Sequence, residues 1–238
     1  MAPTASHPWN SGDFTLYLDF KDLDNLEAKL AGFEQETIKK QQETCGHSCY
    51  NLYVVGHEIN VADLSLKLAV ELKLPELERH AVWLASRYHD IDKRWPEWMF
   101  LKRQEEMSSE EMKNFQQSKL IHPDGSSKII FRTASDLNIL RNRVVCNIID
   151  GVESHHEKYD GLTHAYPKKL KDGQIPFYAR ILGNSDLYDA MTNPRPYRDK
   201  MFSPEGAIKE MRRLSGIEFD PEMLEVFAKM ILRDCKTN

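Results

Sequence analysis

The chain has 238 residues, of which 41% are hydrophobic and 29% are charged, and its net charge is −5. This length can bury one core without disulfides, and no apolar run approaches the roughly 20 residues of a membrane span. Because the net charge is weakly negative, we expect no overall electrostatic attraction to nucleic acid or anionic lipid. Residues 1–20 lack the basic and apolar regions of a secretory signal, so we expect a cytoplasmic protein with neither a membrane nor nucleic acid as partner.

The first 50 residues form a lead-in and one helix. Residues 1–18 contain scattered prolines and a glycine, which predicts irregular structure. Leu23, Leu26, Leu30 and Phe33 then recur at helical spacing. This N-terminal helix could pair with a second copy in a homodimer, bind a regulatory partner, or cover the core, and we favour the last. The domain proper is expected at 51–238.

A short cysteine cluster follows this helix. Cys45, His47 and Cys49 lie close enough for a metal knuckle, but a second pair of ligands is missing. Free thiols are the better interpretation.

The rest of the chain is predominantly helical in pattern. Apolar residues at three- and four-residue steps predict helices over 61–72, 77–88 and 144–152. Further helices are expected to begin at Pro176, Pro204 and Pro221. Residues 92–128 are polar and are expected to form a loop or insertion with helical pieces around 103–118, and turns dominate 157–175. Only 128–131 could form a short strand, so the fold class is all-α.

Five of the nine histidines and two aspartates fall in a pattern along these elements: His57 opens one helix, His89–Asp90 and His155–His156 end two others, His122 precedes Pro123, and Asp186 lies about two turns inside the helix after Pro176. Helix ends suit metal ligands because the core fixes the element behind them. Imidazole and carboxylate suit Mn, Fe, Zn or Ni. Seven ligands exceed one tetrahedral ion but fit two octahedral ions that share a carboxylate, for which Asp90 is the natural bridge. Each residue alone could be a capping or surface group, so spacing leaves the metal hypothesis open.

The same order of residues resembles the HD superfamily of metal phosphohydrolases, specifically its HD-GYP branch of bacterial cyclic di-GMP phosphodiesterases. Two motifs carry most of the resemblance, His155-His-Glu-Lys-Tyr-Asp-Gly161 and Arg195-Pro-Tyr-Arg198. The other matching segments are 57–61, 88–93, 122–123, 175–182 and 186–191. The likeness runs from about residue 50 to 232. It implies an HD-domain helical bundle with extra helices and an N-terminal helical segment.

The resemblance also implies a mechanism. Two divalent metal ions, Fe or Mn, would be held by His57, His89, Asp90 and Asp186 on one side and by Asp90, His122, His155 and His156 on the other. A hydroxide between the ions would attack the phosphorus of a cyclic dinucleotide substrate. Lys93 would hold a phosphate oxygen, and Arg195 and Arg198 would grip the second phosphate.

Three positions depart from the family pattern. Ala165 replaces the glycine of Gly-Tyr-Pro in a turn about two residues longer than usual, although Tyr166 is kept and is expected to reach the substrate. Asp92 replaces a glycine beside Lys93 and could weaken its phosphate contact by pairing. Tyr53 stands where some members carry a glutamate ligand for a third metal. We therefore expect two metals and hydrolysis of cyclic di-GMP to linear pGpG.

Two alternative functions remain. The altered turn at 161–167 and the insertion at 92–128 would also suit an HD hydrolase acting on another cyclic dinucleotide, a nucleotide or single-stranded nucleic acid. A module that binds the dinucleotide without hydrolysing it would be expected to have lost ligands. None of the expected ligands is missing, so we place this alternative last.

Overall fold

The computed structural model describes residues 18–45, 54–93, 107–162, 164–194 and 200–237. Within these ranges the regular structure is helical: α1 Phe20–Cys45, α2 Gly56–Glu71, α3 Glu76–Arg87, α4 Ser109–Asp136, α5 Arg143–Glu153, α6 Phe177–Thr192, α7 Pro204–Arg213 and α8 Pro221–Thr237. A short 3₁₀ helix, Asp172–Gln174, precedes α6. The described residues form no strand beyond an isolated bridge between Ser215 and Phe219. The all-α prediction is confirmed.

Local sequence explains where several helices begin. The Ser108 hydroxyl accepts the Glu111 N–H, and the Glu111 carboxylate accepts the Ser108 N–H, which forms a capping box at α4. At α7 the Ser203 hydroxyl accepts the Gly206 N–H at 3.1 Å, and Pro204 stands at the first helical position. These groups satisfy backbone donors that have no partner within the helix.

Helix α4 corrects two expectations. Residues 109–136 form one helix of 28 residues. The helical pieces expected around 103–118 are therefore confirmed from residue 109, whereas the loop expected from there to 128 and the strand at 128–131 are wrong. The buried residues of α4 recur at helical spacing but are largely polar: Phe115, Ser118, His122, Pro123, Ser126, Ser127, Ile130 and Ala134. A polar buried face hides the apolar period on which the sequence argument depends. Pro123 lies inside the helix although proline usually interrupts one.

Helix α1 packs into the same core as the helices that follow it. Leu23, Leu26 and Leu30 are buried in the cluster that also contains Leu68 and Ile148. The helix contacts α3 and α4. It therefore covers the core, as favoured above, while the boundary at residue 50 and a partner of α1 stay predictions. No helix in the part of the chain described here has the length and apolarity to cross a bilayer.

Candidate metal centre

The seven expected ligands come together from five helices or their ends. His57 lies in the first turn of α2, His122 in the middle of α4, and Asp186 inside α6. The pairs His89–Asp90 and His155–His156 follow the last residues of α3 and α5. The imidazoles of His89, His122 and His155 are almost completely buried. The core thus fixes the elements, and their polar side chains converge on one place.

The expected ligands form two groups, and each group has imidazoles near one oxygen of Asp90. In each group the ligand atoms lie within 4.8 Å of one another, and the groups are His57, His89 and Asp90 on one side and His122, His155 and His156 on the other. Asp90 Oδ2 is 3.8 Å from His57 Nε2 and 3.4 Å from His89 Nε2. Asp90 Oδ1 is 3.2 Å from His122 Nε2 and 3.9 Å from His155 Nε2. One oxygen of this carboxylate therefore faces each group.

Hydrogen bonds from the main chain orient three of the imidazoles. Their Nδ1 atoms lie near backbone carbonyl oxygens: His89 at 2.7 Å from Ser86, His122 at 3.3 Å from Ser118, and His155 at 2.6 Å from Val152. A carbonyl oxygen only accepts, so each Nδ1 carries the proton. Burial, followed by the charges of His89 and His122, lowers the pKa of His155 to about 3, so its ring is neutral. Each Nε2 then offers a lone pair to the centre.

A carboxylate orients His57 instead. Asp189 Oδ2 lies 2.6 Å from His57 Nδ1, and Asp189 Oδ1 accepts a hydrogen bond from Asn193 at 2.6 Å. On the other side of the ring, His57 Nε2 is 3.1 Å from Asp186 Oδ1. Sequence analysis missed Asp189. Its spacing of three residues from Asp186, which puts both on one helical face, was the available signal.

The donor set fits divalent cations. His89 Nε2 and Asp90 Oδ1 are buried and form no hydrogen bond with any described residue. His122 Nε2 lies 3.3 Å from His155 Nε2 and 3.2 Å from His156 Nε2, so lone pairs face one another. Buried acceptors without donors are costly, and a shared cation removes that cost. Neutral imidazole and carboxylate are ligands for Mn, Fe, Zn or Ni.

The charges of the centre keep its carboxylates ionised. Burial opposes the charged form of Asp90, but His89, Lys93 and His122 together hold its pKa well below its usual value. Burial likewise opposes ionisation of Asp186, and the hydrogen bond and charge of His57 reverse the effect, so its pKa is also well below the ordinary value. Both groups are therefore available as anionic ligands at neutral pH.

Lys93 lies against the Asp90 carboxylate. Its Nζ is 2.5 Å from Asp90 Oδ2. The neighbouring Asp92 approaches α4, where a Cβ added to Gly125 would lie 1.9 Å from Asp92 Oδ2. The Asp92 N–H also donates to the Ser126 hydroxyl at 3.1 Å. Gly125 thus leaves the room that the Asp92 carboxylate occupies, and the effect of Asp92 on Lys93 stays a prediction.

Tyr166 covers the other side of the centre. Its ring lies 4.9 Å from the ring of His156, at an interplanar angle of 33°. Burial, with smaller contributions from Asp186 and Asp90, raises the pKa of Tyr166, so its hydroxyl remains a donor. The Glu157 carboxylate holds the same loop by accepting the N–H groups of Lys168 at 2.6 Å and Leu170 at 2.9 Å.

Other expected residues lie outside the described ranges, namely Arg195, Arg198, Tyr53, His47 and Cys49. Lys119 lies one helical turn before His122 on α4, and its Nζ is 4.4 Å from the centroid of the Phe115 ring. Burial, followed by the charge of Lys93, lowers the pKa of Lys119.

A helical bundle with histidines and aspartates converging at its centre defines the class of HD-domain proteins. The family model described as HD domain matches residues 26–223. The chain therefore belongs to the HD domain family.

Curated relatives within this family are enzymes of cyclic dinucleotides by name. The chain is 28% identical over 179 residues to a cyclic di-GMP phosphodiesterase of Pseudomonas aeruginosa, covering 75% of this chain and 39% of the relative. It is 29% identical over 174 residues to a cyclic di-GMP phosphodiesterase of Thermotoga maritima, covering 73% and 44%. It is 26% identical over 234 residues to the 3′3′-cGAMP-specific phosphodiesterase 2 of Vibrio cholerae, covering 90% and 42%. The chain spans less than half the length of these relatives.

Solved structures agree on the fold. The protein Bd1817 of Bdellovibrio bacteriovorus, described as an HDG"Y"P protein, matches with a TM-score of 0.56 at 14% identity, covering 90% of this chain and 66% of that one. A cyclic GMP-AMP specific phosphodiesterase of Vibrio cholerae matches with a TM-score of 0.51 at 18% identity, covering 74% and 44%. At these identities the likeness supports the helical architecture alone.

Proposed function

We propose that the chain is a metal-dependent phosphodiesterase that hydrolyses cyclic di-GMP at a centre of two divalent cations, Fe or Mn. The observation that carries the proposal is the position of Asp90, with one oxygen toward each of two histidine groups. A carboxylate in that position can serve both ions. The names of the curated relatives support a cyclic dinucleotide as the substrate class.

The proposed ligands are His57, His89, Asp90 and Asp186 for one ion and Asp90, His122, His155 and His156 for the other. When bound, two such cations supply an acidified water and neutralise charge on the phosphate oxygens. Carbonyl groups and Asp189 hold the imidazoles at Nδ1 in the orientation that ligation through Nε2 requires.

The remaining residues would bind the substrate. The Lys93 ammonium, beside Asp90, puts a positive charge where a non-bridging phosphate oxygen would approach. The protonated hydroxyl of Tyr166 can donate a hydrogen bond at the same face. Arg195 and Arg198 are proposed for the second phosphate on the strength of the Arg-Pro-Tyr-Arg motif.

The product is proposed to be linear pGpG. A third metal would need a carboxylate at position 53, where this chain has Tyr53. A phenol is a weaker ligand than a carboxylate for these metals, so we expect two ions. A second candidate substrate is 3′3′-cGAMP, because a relative specific for it by name aligns over 90% of this chain.

The test compares both dinucleotides with matched variants. The purified chain, with its metal retained or with Mn²⁺ added, is incubated with each dinucleotide, and the products are separated by chromatography. Asp90→Asn should abolish turnover and bound metal, whereas Asp63→Asn, an exposed aspartate on α2, should change neither. Turnover by the Asp90→Asn protein would contradict the two-metal proposal. No turnover of either substrate by a chain with two bound ions would point to another phosphoester or to a binding role.

A further inference from the structure

A buried network of charged side chains connects α1 with the metal centre. Arg87, the last residue of α3, donates from Nη1 to Glu34 Oε1 and to Glu58 Oε2, both at 3.0 Å, and from Nη2 to Glu34 Oε2 at 2.7 Å. Glu58 Oε1 then accepts the backbone N–H of Asp90 at 3.2 Å. The side chains of Glu34, Glu58 and Arg87 are only 3%, 0% and 10% exposed. The connection therefore runs from α1 to the bridging carboxylate through the interior.

Stability is a poor explanation of this network. Two acidic side chains share one guanidinium, and all three side chains are buried. Buried ion pairs contribute little net stability, because desolvation offsets the attraction. Apolar side chains would fill the same space at least as well. The network is better explained by a nearby backbone N–H group that needs a hydrogen-bond acceptor.

That group is the main chain of Asp90. Helix α3 ends at Arg87, and Asp90 lies in the turn beyond it. Glu58 supplies the buried acceptor for the Asp90 N–H, Arg87 holds Glu58, and Glu34 holds Arg87 with both oxygens. Glu34 lies one turn beyond Leu30, on the face of α1 that packs into the core. The docking of α1 is thus part of what fixes the backbone of the bridging ligand.

We propose that Glu34, Arg87 and Glu58 are positioning residues of the metal centre, and that docking of α1 and metal binding are coupled through Asp90. This inference rests on the proposed function, because it requires Asp90 to bind metal. Coupling between two sites is reciprocal. Docked α1 raises the affinity for metal, and bound metal slows the opening of α1.

The test replaces one acid of α1 and uses another as the control. In Glu34→Gln the amide keeps the size of the side chain, but its NH₂ group faces the Arg87 donors, so the two-oxygen grip is lost. Glu36→Gln removes the same charge from the same helix, at a side chain that is 63% exposed and pairs with Lys40. Mn²⁺ alone is the probe. Its affinity is measured by titrating the metal-free proteins, and amide exchange of α1 is measured with and without Mn²⁺.

The expected result is a loss of about 10-fold in Mn²⁺ affinity in Glu34→Gln, the lower end of the range for residues that orient ligands. Mn²⁺ should slow amide exchange in α1 of the unsubstituted and Glu36→Gln proteins, and this slowing should largely disappear in Glu34→Gln. A purely structural role would speed exchange equally with and without Mn²⁺ and leave the affinity unchanged, which would overturn the coupling.

A second variant separates geometry from charge. Arg87→Lys keeps the positive charge but cannot bridge two carboxylates with a planar fork. The coupling predicts that Arg87→Lys loses Mn²⁺ affinity as Glu34→Gln does, and Arg87→Lys tests the coupling even if Glu34→Gln does not fold. A Mn²⁺ affinity equal to that of the unsubstituted chain would contradict the coupling. If the unsubstituted chain binds no Mn²⁺, the proposed function fails together with this inference. If it binds two ions and the variants bind them equally well, only the coupling fails.

Discussion

Replacing Asp189 by asparagine tests whether one carboxylate decides which nitrogen of His57 faces the metal. The carboxylate accepts at both oxygens, from His57 Nδ1 and from Asn193 Nδ2. An asparagine has only one oxygen, so its NH₂ group must face one of these two partners. If it faces His57, Nδ1 becomes the acceptor and the proton moves to Nε2, opposite Asp186. A protonated Nε2 cannot bind a cation.

The magnitude follows from this geometry. Either one buried hydrogen bond is lost, at about 1–3 kcal/mol, or the ring takes the tautomer that does not ligate. Loss of an orienting partner typically costs about 10- to 100-fold in metal affinity. Asp189 orients His57, which is not part of the group formed by His122, His155 and His156, so that group should keep its ion.

The assay is titration of metal-free Asp189→Asn with Mn²⁺, read as free Mn²⁺ by electron paramagnetic resonance. We expect two classes of site, one with ordinary affinity and one weakened about 10- to 100-fold. Asp63→Asn, exposed on α2, serves as the control and should bind like the unsubstituted chain. Two sites of unchanged affinity in Asp189→Asn would refute the orienting role of Asp189.

Three other expectations concern packing, pH and substrate contact. Gly125→Ala should destabilise the fold by about 1–3 kcal/mol, because its Cβ meets the Asp92 carboxylate, and Asp92→Gly in the same chain should restore the thermal midpoint. Burial lowers the pKa of His155 to about 3, so this ring should cost the metal-free fold no stability above pH 6.5 and should contribute a loss of about 1.4 kcal/mol per pH unit below it. Urea unfolding down to about pH 4.5 measures this slope, which His155→Asn should flatten. Tyr166→Phe keeps the ring beside His156 but loses the hydroxyl, so kcat/KM should fall about 10- to 100-fold while metal content stays normal. A parallel loss of metal would contradict a substrate-binding role.

The sequence predicted helices best where a helical repeat of apolar residues is followed directly by a histidine. The helices before His89 and His155 have apolar buried faces, so their ends could be located from spacing. The expected role of these histidines as metal ligands came from the resemblance to the family. Helix α4 could not be predicted in this way, because its buried face carries Ser118, His122 and Ser126. A helix that lines a polar centre must bury polar side chains, and this removes the signal for the helix.

Contacts between distant parts of the chain were beyond reach for a different reason. Asp189 meets His57 across 132 positions, and Arg87 meets Glu34 across 53. The local pattern does not distinguish Glu34 from an exposed acid on the same helix, such as Glu36. The spacing of Asp189 from Asp186 indicates a shared helical face but does not indicate the contact with His57. Their role follows from which donor each one meets inside the fold.

These acids also explain how one bundle can hold several buried carboxyl groups. Lys93 pairs with Asp90, Arg87 pairs with Glu58, and Asp189 accepts hydrogen bonds from His57 and Asn193. In such a centre each carboxylate raises the cost of ionising the next, while every bound cation lowers it for all of them. Residues that orient the ligands and residues that set the charge are then the same residues. A substitution at Glu34 or Asp189 is therefore expected to change metal affinity before it changes the fold.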